Sequence, residues 1–362
     1  MTFQQLSATG FDHDRALAFA GRMSDFISSG AVAVMTSIGH RTGLFDTMAG
    51  RAPSTSVEIA AASGLAERYV REWLAVMVTG GVVTYDPAGR RYHLPPEHAA
   101  SLTRGAPLGN LAVYAQHVAL MGQVQERILP CFASGEGAAY ADYPDFHRLM
   151  AEDSDQTVVE QLDTAILPLA GDLPERLAAG IDVLDAGCGR GRALLAMARK
   201  YPLSRFLGLD LCADAVEDAT REAAVRELGN VRFEVCDMTD FTAEAAFDLI
   251  TSFDAVHDQK HPADFLRRLH RALRPGGIHL MQDIGGSARL EANMEFPMAP
   301  LLYAISCLHC TPVSLGQGGE GLGTMWGWET AERMLREAGH ASVTRHVLPH
   351  DPMNVWFVSH KA

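Results

Sequence analysis

The stretch Ile181-Asp182-Val183-Leu184-Asp185-Ala186-Gly187-Cys188-Gly189-Arg190-Gly191 decides the fold. A short apolar run ends in an acid, three glycines alternate with other residues, and Ala193-Leu194-Leu195-Ala196-Met197 begins a helical pattern. The order is strand, tight turn, helix. Glycine permits positive φ and close approach of a ligand to the backbone, and the following helix offers free N–H groups at its start. In open α/β sheets ligands bind in such a crevice, outside the carboxyl ends of the strands.

Working outward, the later chain alternates strand and helix, which implies a parallel sheet with crossover helices. Ser204–Asp210 reads as the second strand and ends in an acid, Asp210, followed by Leu211. A carboxylate there suits the two hydroxyls of a ribose. Val231–Met238 is the third strand with its exit, Asp248–Phe253 the fourth and Ile278–Asp283 the fifth. Ser342–His346 and Val355–His360 read as a closing antiparallel pair. The glycine spacing is Asp-x-Gly-x-Gly-x-Gly rather than the G-x-G-x-x-G of a dinucleotide site. An acid so close repels a pyrophosphate and suits a ligand carrying a cation and an ammonium group.

Asp185-x-Gly187-x-Gly189-x-Gly191 resembles motif I of the class I S-adenosylmethionine (SAM) methyltransferases, and Leu273-Arg274-Pro275-Gly276-Gly277 resembles the phrase that often precedes their fifth strand. The resemblance implies a Rossmann-like, seven-stranded α/β methyltransferase sheet. It makes S-adenosyl-L-methionine the cofactor and S-adenosyl-L-homocysteine the product. It places Asp185 at the methionyl amino end, with Gly187, Cys188, Gly189 and Gly191 as the loop and Asp210 and Leu211 at the ribose. Asp237 would accept from the adenine amino group, Met238 would lie on the ring, and Phe253 would border the pocket. Phe146 and Met150 either touch the cofactor or pack in the core.

The first part of the chain is mainly helical over residues 13–50. Thr55 and Glu58 fit a capping box, opening a short helix over Val57–Ala62. A second helix runs over residues 66–79 with Tyr69, Val70, Trp73, Leu74, Met77 and Val78 inward. Val82–Tyr85 and Arg91–Leu94 flank Asp86-Pro87-Ala88-Gly89, a hairpin signal. Helix, turn, helix, hairpin is the order of a winged helix. Its second helix carries Glu67, Arg68, Arg71 and Glu72, which cancel, whereas DNA readers need surplus basic charge. Together with Ile38–Asp46 the segment is similar to the dimerisation domain of small-molecule O-methyltransferases, which implies a homodimer whose N-terminal helices roof the substrate cavity. We divide the chain into a helical, winged-helix domain over residues 1–160 and a cofactor domain over 161–362. Residues 107–180 read as mainly helical, with a loop over Ala133–Asp145 and a long helix from Phe146 toward Leu169.

Methyl transfer to a high-pKa nucleophile needs a base, and His257 just past strand four is the candidate. Phe253-Asp254-Ala255-Val256-His257-Asp258-Gln259 is similar to the His-Asp-Trp signature of small-molecule O-methyltransferases, with Gln259 in place of Trp. The resemblance makes His257 the base; the other reading is packing beside the cofactor. Met294–Leu308 reads as pocket wall, with Tyr303 and His309 orienting a substrate or bonded in a core. Gly316–Gly327 reads as a mobile lid with Trp326 as a plug against water. Cys307 and Cys310 have C-x-x-C form without a second pair, and Asp254 and Asp283 end adjacent strands as a magnesium-type pair; we assign no metal.

The 362 residues carry a net charge of −14, which argues against an extended nucleic-acid surface or an anionic membrane. The sequence has no apolar run of membrane-spanning length, and Met1–Met23 lacks the cationic start and apolar core of a leader. Six scattered cysteines read as reduced, buried thiols of a cytoplasmic protein. The expected function is methyl transfer from SAM to oxygen or sulfur of a small molecule. The alternative is a SAM-responsive DNA-binding regulator.

Overall fold

The structure, a computed structural model, describes residues 10–107 and 109–362. Leu108 and residues 1–9, with the start of the stretch read above as lacking a leader, lie outside it. The chain divides into two compact units, Met1–Ala119 and Leu120–Ala362. Segment 120–160, assigned above to the N-terminal domain, is grouped with the sheet.

In the first unit a helix spans His13–Arg41, capped by Asp12 accepting from the Arg15 amide. Gly43 ends it in the left-handed region at φ 72°, and Leu44–Met48 makes one more turn. The capping box forms as expected: Thr55 accepts from the Glu58 amide and Glu58 accepts from the Thr55 amide, opening Ser56–Ser63. The next helix, Glu67–Thr79, buries Val70, Trp73, Leu74 and Met77. Tyr69, expected inward, is 80% exposed, because it lies one residue off the buried 3.6-residue stripe. Strands β1 (Thr84–Asp86) and β2 (Arg91–His93) pair antiparallel and complete the winged helix.

The second unit is built on seven strands: β3 (Asp182–Ala186), β4 (Arg205–Asp210), β5 (Val231–Val235), β6 (Phe247–Phe253), β7 (Leu273–Ile284), β8 (Ser342–Leu348) and β9 (Asp351–His360). Their order across the sheet is β5-β4-β3-β6-β7-β9-β8, with only β9 antiparallel to its neighbours. Successive residues point to opposite faces. Thus Val183, Leu249 and Trp356 join the core on one side, with Leu194 and Met197 of the helix Arg192–Lys200. Leu184, Ile250 and Phe357 join the core on the other, with Leu266 and Leu269 of the helix Pro262–Ala272.

Two expectations shift here. The helix from Phe146 stops at Thr157 and gives way to irregular helical turns up to Ala170; the β-branched pair Val158-Val159 and Pro168 break its continuation. Ala299–Gly316, in which no run of spanning length was expected, is one helical stretch long and apolar enough to cross a membrane by length and composition alone. It holds a five-residue π-turn at Ser306–Cys310, and Leu302, Cys310 and Val313 are buried within the protein.

Candidate active site

The crevice lies at the carboxyl ends of β3, β4, β5 and β6. Gly187, Gly189 and Gly191 all have positive φ (81°, 52° and 68°), and a Cβ on Gly187 would sit 2.5 Å from that of Ala255. The loop is tied to β4 by Gly187 and Cys188 amides donating to the Leu209 carbonyl, at 2.8 and 3.0 Å. Asp210 accepts from the Gly189 amide through one oxygen and from the Cys212 amide through the other, both at 2.8 Å. It is thereby aimed into the crevice with lone pairs to spare.

Two cavities open here. One, of about 590 Å³, is lined by Asp185, Gly187, Cys188, Arg190, Arg192, Gln282 and the helix Phe146–Thr157. The other, of about 820 Å³, is lined by Asp210, Leu211, Asp237, Met238, Tyr140 and Phe146. Of the ten cofactor residues expected, Gly191 alone lines neither; it turns the chain into the helix, with a would-be Cβ 2.4 Å from the Phe233 ring. Met150 lines both cavities and Phe146 one. Asp185 is buried and accepts from the Thr251 hydroxyl at 2.7 Å; burial pushes its carboxyl up to about 7. Asp237 accepts from the amide and hydroxyl of Thr239, which hold it low against the opposing effect of burial.

His257 is buried behind this crevice. Its Nδ1 lies 2.8 Å from Asp283 Oδ1 and its Nε2 3.4 Å from Asp258 Oδ1. Burial alone would push the imidazole down, but the two carboxylates hold it well above the usual histidine range. His309 lies in the same cluster, with Nδ1 3.9 Å from Asp258 and its ring stacked on Phe146 at 3.8 Å. Burial lowers His309 to about 4, so it stays neutral. Tyr140 donates to Asp258 at 3.3 Å, and Thr324 to the buried Cys310 thiol at 2.9 Å.

Tyr303 is not brought to this cluster. Its hydroxyl accepts from Asn293 at 2.8 Å, and its ring packs on Ile284, Leu302 and Met325. Trp326, expected as a plug, is 5% exposed and donates to Asp283 at 2.9 Å. The glycine run expected to be mobile is pinned: Glu320 bonds the Lys260 carbonyl, and the Gly319 and Gly321 amides bond Ser314. Cys307 is exposed while Cys310 is buried, and no ligand cluster among the described residues contains Cys307. Asp254, His257 and Asp283 do converge within 4.8 Å. Asp283 Oδ1 already takes Trp326, His257 and the Ile284 amide, so that oxygen is filled by protein donors.

Sequence reasoning passed over Asp258, Tyr140 and His147, and met Asp254 only as a metal ligand. The signal for Asp254 was its place directly after β6, beside two strand-end acids already chosen.

A seven-stranded sheet of this order over a glycine loop, with a winged helix before it in the chain, is the architecture that the class I methyltransferase resemblance implies. Residues 177–339 match the family model of a methyltransferase domain, and residues 30–104 that of an Rv2258c-like winged HTH domain. Trans-aconitate 2-methyltransferase of Methylobacterium nodulans is 35% identical over 139 residues, 38% of this chain and 49% of the relative. The chain thus spans about half the length of that relative. Among solved structures, an O-methyltransferase family protein from Burkholderia thailandensis superposes with a TM-score of 0.64 at 17% identity, covering 96% of this chain and 98% of the other. Human N-acetylserotonin methyltransferase, solved in complex with SAM, gives 0.66 at 15% identity, covering 97% and 98%. At such identities the likeness is one of fold.

Proposed function

We infer that the protein transfers a methyl group from S-adenosylmethionine to oxygen or sulfur of a small molecule. The observation that carries this is the row of Asp185, Asp210 and Asp237 at the ends of β3, β4 and β5, all opening on the two cavities beside the glycine loop. The residues fit the cofactor. Gly187 leaves out a Cβ that would collide with Ala255 and so lets the loop lie close against the crevice, and at Asp185 a buried carboxyl with elevated pKa lines the first cavity. Bound SAM supplies a methyl activated by a cationic sulfur. Asp185 would hold the ammonium end, Asp210 the ribose, and Asp237 with Met238 the adenine.

The chain's own contribution is alignment and exclusion of water, worth about 7–11 kcal/mol in well-oriented reactions. His257 is held by Asp283 on one ring nitrogen and faces Asp258 on the other, and the two carboxylates favour the protonated ring over one free to take a proton. That favours acceptors that ionise readily, such as thiols, carboxylic acids or acidic phenols. The related trans-aconitate enzyme is consistent with an oxygen acceptor. Tyr303 keeps a structural role in this reading and His309 an aromatic one.

We read the assembly as a homodimer, because the helix His13–Arg41 exposes Leu17, Phe19, Phe26 and Ile27 by more than half. The regulator alternative has less support: Arg68 pairs with Glu72 and Arg71 with Glu67 on the helix that would read DNA. Incubation with SAM and panels of thiols, carboxylic acids and phenols, with S-adenosylhomocysteine as readout, tests the activity. Turnover of no panel, combined with SAM-dependent retention of genomic DNA, would reverse the choice.

A further inference from the structure

The cluster behind the crevice holds more ligating atoms than the proposed chemistry uses. His257 Nε2, a carboxylate oxygen of Asp258 and Cys310 Sγ lie within 4.8 Å of one another, and all three residues are buried. Nε2 and Asp258 Oδ1 are 3.4 Å apart, yet that oxygen has no hydrogen-bond partner among the described residues. With metal–ligand lengths of about 2.0–2.3 Å, neighbouring donors of a tetrahedral site stand about 3.3–3.8 Å apart. The spacing is that of two donors sharing an ion rather than a proton. Each of the three also has an outer partner. Asp283 Oδ1, 2.8 Å from His257 Nδ1, favours the tautomer that turns the Nε2 lone pair toward the cluster, and a carboxylate behind a ligating imidazole is the usual second layer of a zinc site. Tyr140 donates to Asp258 Oδ2 at 3.3 Å and Thr324 to Cys310 Sγ at 2.9 Å. Cys310 enters through the π-turn Ser306–Cys310, and such turns are frequent at functional positions. Asp254, in the left-handed region at φ 51° and with Oδ1 also lacking a partner among the described residues, converges with Asp283 on the same imidazole. Three acids around one ring leave a surplus of negative charge that a dication offsets.

We propose that His257 Nε2, Asp258 and Cys310 Sγ form a site for a zinc-class divalent ion, and that this ion takes up the methyl acceptor as a thiolate. The acceptor role rests on the methyl-transfer reading above; the ion site does not. Nitrogen, oxygen and sulfur donors together suit zinc rather than magnesium or calcium, which prefer oxygen alone. His309 lies beside the site, with Nδ1 3.5 Å from Cys310 Sγ, but is not one of the converging three. Three protein ligands and one open position are the pattern of a catalytic zinc, and Asp258 lines the second cavity, from which an acceptor arrives. A thiol that coordinates the ion gives its proton to solvent. Its sulfur then donates an electron pair to the methyl carbon while the bond from that carbon to the sulfonium sulfur breaks and leaves its pair there. The products are neutral S-adenosylhomocysteine and a neutral thioether, a weaker ligand than the thiolate, which departs.

Cobalt(II), added to the full chain as a spectroscopic probe, should bind and show thiolate-to-cobalt charge transfer that zinc(II) displaces. His147, Cys212 and Asp214 form a second convergent trio nearer the surface, so the two cysteines are compared: Cys310→Ser should abolish the charge transfer and Cys212→Ser should keep it. Asp283→Asn, which leaves the three ligands in place, should weaken zinc about ten- to hundredfold. At pH 7 a free thiol of pKa near 8.5 is only about 3% ionised, so coordination raises the thiolate about thirtyfold, part of which is offset by lower nucleophilicity. The zinc-loaded protein should therefore methylate ethanethiol about tenfold faster than the chelator-stripped protein, with SAM affinity in calorimetry unchanged within about threefold. Absence of charge transfer in the wild-type protein, with SAM still bound, overturns the proposal without any variant and leaves the cofactor reading standing. Charge transfer lost in Cys212→Ser and kept in Cys310→Ser moves the ion to the other trio and also overturns it. Thiol turnover indifferent to zinc overturns the role on the acceptor. Failure to bind SAM instead sinks the methyl-transfer reading, whatever the metal does.

Discussion

His340→Leu should make the protein less sensitive to acid, and the amount can be worked out. His340 is 5% exposed, with its ring 4.9 Å from that of His270 and 5.7 Å from that of His279. His279, on β7, is fully buried and shares a hydrogen bond of 2.9 Å with Ser252. Burial first, and His270 second, lower His340 to about 3; burial and the other two rings push His279 well down. A depressed histidine favours the neutral folded form. Its stabilisation is complete above the unfolded value near 6.5 and is lost as pH falls from there toward 3. Between pH 7 and 5 the unfolded chain gains nearly one proton at this position that the folded chain refuses, which costs about 2 kcal/mol. Of the four tryptophans, Trp326, Trp328 and Trp356 lie in the sheet unit, so fluorescence in a Trp73→Phe background follows that unit through urea unfolding. The parent should lose about 2 kcal/mol more than His340→Leu on going from pH 7 to 5. Equal losses would show that the trio takes up protons without unfolding, and the reasoning would fail.

Three further outcomes follow from the crevice and the sheet. Gly187→Ala combines a left-handed φ with a 2.5 Å approach to Ala255; it should cost about 2–4 kcal/mol in urea unfolding and abolish measurable SAM binding. S-adenosylhomocysteine affinity should fall as pH drops below about 7, where Asp185 takes up a proton, by up to about tenfold per unit. Asp185→Asn should flatten that profile in calorimetry; a slope that persists would assign it elsewhere. Arg274 bridges Asp182 at 2.8 Å and also bonds Asp248. It is partly exposed, so Arg274→Met should cost only about 1 kcal/mol in denaturant midpoint, and a loss several times larger would mean the two acids cannot be rehydrated.

What could be read from the chain was whatever is written locally. Asp185, Asp210 and Asp237 could be placed at the crevice from sequence because each ends a strand whose period and turn are visible within a dozen residues, and Thr55 with Glu58 because a capping box is three residues long. The outward turn of Tyr69 was missed by one residue of phase, whereas the helix expected to run toward Leu169 stops at Thr157, where irregular helical turns take over. The acceptor side was less legible for a different reason. His309 meets Phe146, Tyr140 and Asp258 across long stretches of chain, and Tyr303 finds Asn293 instead. No local pattern says which of two polar tips on one helix turns toward a cluster assembled from other strands. Asp254 is intermediate: its place was visible, but its backbone conformation and its vacant oxygen belong to the assembled crevice.

The position of β9 has a consequence for how the sheet is assembled. It is the last of the seven strands in chain order, yet it lies between β7 and β8 and is the only strand partner β8 has among the described residues. Zipping in order of synthesis therefore stops at β7, leaving β8 without a ladder and β7 with an open flank until the final strand threads the gap. Any break in the chain within the β8–β9 turn would leave a five-stranded remnant with an apolar edge, a species prone to pairing with its own kind.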